Sequence, residues 1–175
     1  NMQAHRVTTI GCANIAAVRA DHTLTFVQKF QRKVVEFFSD ISYGRFSSTD
    51  ITDKFRHLTN GNIAEIAYQP ELAPVVWMRR ADGRLIGCTY RREAMSTAQP
   101  PMFSAGHQHT LGSGRVVESI TVGPSTNGTL SALTMVTNDV ATGVRHPLSV
   151  EEQAAVLAEY GASVTSVAVS SKNLI

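Results

Sequence analysis

The chain has 175 residues, 43% of them hydrophobic and 17% charged, with 16 Lys plus Arg against 14 Asp plus Glu. That length suffices for one ordinary domain whose core needs no staples, and the near balance of charge gives no single-sign field of the kind that wraps nucleic acid. No apolar run approaches the ~20 residues of a membrane-spanning helix, and the N-terminus lacks the basic-then-apolar layout of a secretory signal, so a soluble protein made in the cytoplasm is expected.

Read from the N-terminus, short runs rich in Val, Ile, Thr, Phe and Tyr recur between Gly, Asp and Asn, the pattern of an antiparallel protein. The first are Val7 to Ile10, Asn14 to Arg19, Thr23 to Gln28 and Arg32 to Phe38, with a turn at Lys29-Phe30-Gln31. Ser39 to Asn62 reads as a polar connection in which Ser48-Thr49-Asp50 caps a short helical turn through about His57, with Asp50 and Asp53 at its positive end. Asn60-Gly61 supplies a positive-φ turn before a strand at Ile63 to Tyr68. A hairpin follows, Val75 to Arg80 and Arg84 to Arg91, with Gly83 at the left-handed position of a three-residue connection.

Glu93 to Met102 holds Pro100 and Pro101 and reads as an exposed loop. Strands resume at Phe103 to Thr110, Val116 to Val122, Leu130 to Thr137 and Gly143 to His146, separated by Gly112-Ser113-Gly114, Pro124 to Gly128 and Asn138 to Thr142. Ser149 to Tyr160 reads as the one proper helix, with Ser149 and Glu152 as a capping box and Gly161 as its stop. Ser163 to Val169 reads as a last strand.

Leu24 to Phe38, Val75 to Tyr90 and Ala132 to His146 share one layout: an apolar strand, a polar turn, and a strand that opens on a basic or small residue. Their starts lie about 50 to 60 residues apart, the spacing of four-stranded blades in a β-propeller. The expected fold is therefore all-β and mainly antiparallel, with about three propeller-like blades over residues 1–147 and a helix plus terminal strand over 148–175. Three blades do not close a propeller, so closure needs further chain or other chains. The opening Asn1-Met2 fits either added residues or a segment of a longer polypeptide, and the incomplete repeat favours the segment.

The succession TDITDKFRHLTNGNIAEIAYQPE, VVWMRRADGRLIGCTYRRE, AGHQHTLGSGRVVESITVGPS and LTMVTNDVATGVRH resembles the tail nozzle proteins of short-tailed bacteriophages, also called tail tubular protein B or the tail hub. The residues that carry the resemblance are Trp77, Asp82-Gly83, Ile86 to Tyr90, His107 or His109, Gly112 to Gly114, and Val117 to Val122. It spans about Leu24 to His146, and Leu148 to Ile175 lies outside it. The resemblance implies a virion structural protein and not an enzyme: a propeller-containing subunit of a homo-oligomeric ring, commonly a hexamer, below the portal and adaptor. Such a ring continues the DNA channel for genome ejection, lets viral DNA pass without sequence-specific binding, and anchors tail fibres or spikes. Its place is the virion tail, after assembly in the bacterial cytoplasm.

The residues offer little chemistry beside that. His107 and His109 share a strand face and could hold one metal, but no third ligand stands near them in sequence, so no metal or cofactor is expected. No nucleophile elbow surrounds any serine, and Gly112-Ser113-Gly114-Arg115 lacks the strand-to-helix context of a phosphate loop, so no catalytic residue is assigned. Asn127-Gly128-Thr129 reads as a type I′ turn. Cys12 and Cys88 read as buried free thiols.

The hairpin remains. Asp82 and Gly83 set its turn, and Trp77 and Tyr90 are expected to face each other as a cross-strand core pair. Arg79, Arg80, Arg84, Arg91 and Arg92 cluster around it. They blunt a solvated sheet edge, contact a neighbouring subunit, or line the DNA channel. A conduit should not grip its cargo, since each neutralised phosphate adds retention, and subunit contacts are favoured. Two alternatives stand beside the tail reading: a glycan-binding or glycan-cleaving propeller module, motivated by Trp77 and Phe103, and a non-phage interaction scaffold.

Overall fold

The computed structural model describes residues 9–40, 44–71, 74–92, 102–111, 114–124 and 130–149. Among them the regular structure is antiparallel β, in three sheets that follow one another along the chain and do not close into a ring. The first sheet is a meander of β1 (Val18–Ala20), β2 (Thr23–Val27), β3 (Val34–Asp40) and β4 (Arg45–Asp50). Two 3-10 turns, Asp53–Phe55 and Leu58–Gly61, lead to the second meander, β5 (Ile63–Gln69), β6 (Val75–Arg80), β7 (Leu85–Arg92) and β8 (Met102–His109). The third sheet holds β9 (Arg115–Pro124), β10 (Ser131–Asp139) and β11 (Arg145–Ser149).

Side-chain alternation explains how these sheets stack. Along β5 to β7, Ile66, Val76, Met78, Ile86, Cys88 and Tyr90 point one way and pack on Ala20, Val27, Val34 and Ile51 of the first sheet. Ala67, Val75, Trp77 and Leu85 point the other way and pack on Val117, Ile120, Leu133 and Met135 of the third. The middle sheet is thus covered on both faces, which is why β6 reads VVWM with no polar alternation. Each Val, Leu, Ile or Met among them removed from water contributes about 1.5 to 3 kcal/mol before entropy is subtracted. The first strands draw together, β5 touching β1 on one side and β9 on the other.

Several expectations change. Arg45–Asp50 is a strand, not part of a polar connection, because it pairs with β3 through Val35↔Asp50 to Asp40↔Arg45. Asp50 therefore ends a strand instead of capping a helix. Its carboxylate accepts from Thr52 N (2.9 Å) and Thr52 Oγ1 (2.6 Å) and lies 3.5 Å from Lys33, while Asp53 pairs with Arg56. The positive φ before β5 falls on Asn62 (59°), not on Asn60-Gly61, and Arg80 packs over Gly61. Cys88 is buried but Cys12 is exposed.

At the C-terminal end β11 runs through Ser149, where a helix cap was expected, and its Pro147 is accommodated because β11 is an edge strand. The expected helix beyond Ser149, the strand at Ser163 to Val169, the loop 93–101 and the Asn127-Gly128 turn lie outside the described residues, and of the expected strand Val7 to Ile10 the two described residues, Thr9 and Ile10, are not in a strand.

Candidate functional site

Between β6 and β7 the chain turns at Ala81-Asp82-Gly83, and Arg80 N donates to Arg84 O at 2.9 Å to close the hairpin. Gly83 has φ +79°, and a Cβ on it would overlap the side chain of Val116 on β9. Only glycine satisfies both the left-handed backbone and this close approach. The Gly83 carbonyl accepts from Val117 N at 2.8 Å, so the turn is one point where the second sheet holds the third. An open cleft of about 360 Å³ runs along this junction, lined by Asp82, Arg84, Gln108, His109, Leu111 and Arg115 among others.

The arginine cluster divides. Arg79 Nε donates to Glu65 Oε2 at 3.1 Å, and the same oxygen accepts from Ile120 N at 3.0 Å while Ser119 Oγ lies 3.2 Å from Oε1. Arg79 thus neutralises a carboxylate that ties β5 to β9. Arg80 donates to Leu58 O (2.9 Å) and Asp82 Oδ2 (2.7 Å), on the side facing the first sheet. Arg84 sits 3.4 Å from Asp82 and is more than half exposed. Arg91 is exposed on β7, and the Arg92 side chain falls outside the described set. Two of the five are therefore internal ties, and Arg84 and Arg91 present charge to solvent.

Trp77 and Tyr90 do not face each other. Trp77 pairs with Gly87, and Tyr90 lies on the opposite face of the sheet. Trp77 is 5% exposed, and its Nε1 donates to Gln69 Oε1 at 2.9 Å while Gln69 Nε2 donates to Ser131 O at 2.8 Å. No face of this indole is free to take a sugar. Tyr90 and Glu36 are both fully buried between the first two sheets; the phenol donates to the Glu36 carboxylate and lies 3.2 Å from Thr23 Oγ1.

His107 and His109 do share a face of β8, with ring centroids 4.9 Å apart and both against Trp77. His107 lies over Gly87, where any Cβ would collide with its ring. His107 is exposed overall, yet contact with Gly87 and Trp77 strips solvent from the ring and lowers its pKa. For His109 burial comes first and the neighbouring imidazole second, and together they bring it down to about 4. Among the described residues no three His, Cys, Asp or Glu side chains gather closely enough to hold a metal ion. Burial pushes the Cys88 thiol up to about 12, so it is not nucleophilic at neutral pH.

No protein-family model and no curated protein matches this chain. What reasoning from the sequence missed are the carboxylates Glu36 and Glu65 and the backbone bonds between sheets. Glu36 left a trace, since it alternates with Val34 and Phe38 on the inward side of β3. The backbone bonds left none.

The same bonds recur in each sheet. An N–H at the end of the second strand, on the last residue of β6 and β10 and on the residue after β2, closes the central hairpin: Gln28 N to Lys33 O (2.9 Å), Arg80 N to Arg84 O (2.9 Å) and Asp139 N to Val144 O (3.0 Å). The next residue anchors the chain ahead of the first strand, immediately before β5 and β9 but well before β1: Lys29 N to Gly11 O (2.7 Å), Ala81 N to Asn62 O (2.8 Å) and Val140 N to Gly114 O (2.8 Å). Each central turn also contains a left-handed residue, Gln31 (φ 58°), Gly83 (79°) or Gly143 (68°). The repeat is therefore one of backbone geometry, with different side chains in each copy.

Proposed function

We propose that this chain is a structural subunit of a short-tailed bacteriophage tail, a segment of a nozzle ring that continues the DNA channel below the portal and anchors other tail parts. In this reading each meander is one blade of a β-propeller, and the chain works by assembling with copies of itself and with portal-adaptor and fibre or spike proteins. The observation that carries it is the repeated hairpin: three sheets in chain order, stacked face to face with their first strands together and the same backbone bonds in each. That arrangement agrees with the blade spacing and with the resemblance over Leu24 to His146. Within this reading Arg84 and Arg91 are the cluster residues exposed for contact with a neighbouring subunit or the channel.

The test is direct. Mass spectrometry of purified virions from the encoding phage should find peptides of this chain at a fixed ratio to the portal protein, and negative-stain images of the full chain should contain rings or tubes. A monomer absent from virions would overturn the proposal.

A further inference from the structure

The junctions between successive sheets share one kind of acceptor. At the first, Ile63 N donates to Gln31 O at 2.6 Å; at the second, Val117 N donates to Gly83 O at 2.8 Å. Both acceptors are the left-handed residues of a central turn. Both donors sit directly before a bulge in the first strand of the next sheet, at Ala64 and at Glu118; Ile63 lies opposite Arg80, which closes its hairpin, and Val117 lies opposite Thr137, ahead of the closing Asp139. The third sheet presents the same acceptor. Gly143 is exposed, and its carbonyl has no partner among the described residues. Val140 (64% exposed) and Val144 (48%) flank it, leaving apolar surface beside an unused acceptor.

Ahead of the first sheet, Cys12 matches the donor of the first junction. Cys12 bridges Gln28 as Ile63 pairs with Arg80. In both pairs the hydrogen bonds lie on the neighbouring residues: Lys29 N to Gly11 O and Ala13 N to Val27 O about Cys12, and Ala81 N to Asn62 O about Ile63. A residue in such a non-bonded pair turns its own N–H away from its partner strand. Ile63 uses that outward N–H to hold Gln31. Cys12, exposed, has the same outward N–H with no acceptor among the described residues.

We propose that a second copy of this chain docks head to tail, its Cys12 N–H donating to the Gly143 carbonyl, so that its first sheet continues the stack beyond the third. The proposal deepens the ring-subunit reading, on which it rests, by naming the contact through which copies meet. Such a contact joins two different surfaces, and a chain of them closes into a ring or grows as a filament. On the third sheet the Glu118–Arg145 pair is internally compensated.

Cysteine cross-linking tests it, since Cys12 is exposed and Cys88 is buried. Thr142, in the exposed turn beside Gly143, is replaced in a Thr142→Cys, Cys12→Ser chain, which carries only the tail thiol, while the unaltered chain carries only the head thiol. Treated with a short bis-maleimide, the mixture should give a covalent dimer that neither chain gives alone, and Thr142→Cys by itself should give a ladder of dimers and higher species. A dimer from Thr142→Cys, Cys12→Ser alone would mean that like surfaces meet, and would overturn the proposal. Rings or tubes in negative stain with no cross-link in the mixture would overturn this junction and leave the tail reading standing. A monomer by ultracentrifugation that does not cross-link overturns the junction, while the presence of the chain in virions separately decides the tail reading.

Discussion

The hydroxyl of Tyr90 donates to the carboxylate of Glu36 across the boundary between the first and second sheets, and neither side chain reaches solvent. Among the apolar side chains packed between these two faces, with Thr23 and Thr25 also buried there, the pair is a directional contact that favours one lateral register. Tyr90→Phe removes the donor and leaves the carboxylate buried, and should destabilise the fold by about 2 to 3 kcal/mol. The midpoint of urea unfolding measures this. A midpoint within error of the unaltered chain would rule out the role.

Trp77 is the chain's one tryptophan and lies in the second core, so its fluorescence reports on the contact between the second and third sheets. Emission should be blue-shifted in the native protein and move to the red on unfolding. Trp77→Ala should cost about 3 to 5 kcal/mol. Trp77→Phe should cost less, since it keeps a ring but forfeits the bond to Gln69. Full stability of Trp77→Ala would contradict its place in the core.

Acid should loosen the same region. The folded pKa values of His107 and His109 lie below that of an unfolded histidine, so the neutral rings contribute stability that is complete above about pH 6.5 and is lost as pH falls toward about 4. Carboxylate protonation adds its own loss in this range, so a difference is needed. His109→Phe should show a shallower fall in thermal midpoint between pH 6.5 and 4 than the unaltered chain; parallel curves would exclude the imidazole as a cause.

Gly83→Ala places a methyl group into Val116 on a left-handed backbone, and should cost about 2 to 4 kcal/mol through strain and the disturbed bond to Val117. Gly114→Ala is the control: it shares a positive φ but has open space around it, so it should cost only the backbone part. Equal losses would show that the close approach at Gly83 carries no weight.

Thiol labelling distinguishes the two cysteines. Cys12 should react within minutes at neutral pH, and Cys88, buried with its pKa near 12, should react only on unfolding. Rapid labelling of both thiols in the native protein would show that the packing around Cys88 is looser than described.

Much of the strand content was legible because alternation and β-branched runs are local signals, and β6 falls on Val75–Arg80 as read from its residues. β4 was not, since Ser47, Ser48 and Asp50 in RFSSTD favour turns and caps over strands, and its extended state comes from pairing with β3. The opposite orientation of Trp77 and Tyr90 was implicit in the three-residue connection: with Arg80 opposite Arg84, Trp77 must meet Gly87, and Tyr90 then falls on the other face. Register had to be counted along the strand for this to emerge. The arginines looked like one patch because they are close in sequence, but alternation sends Arg79 and Arg80 to different sides. The bonds from Gln31 and Gly83 to the following sheets were invisible, because a carbonyl is the same in every residue and only the turn's conformation aims it.

The coverage of the middle sheet on both faces has a mechanical meaning. Neither outer sheet can peel away without baring an oily surface of its neighbour, so the array behaves as a short row of coupled units, each one's persistence borrowed from the next. Amide exchange should then run as a gradient, fastest in β1 and β11 at the two ends and slowest in β6, whose protection measures the cooperativity of the whole row.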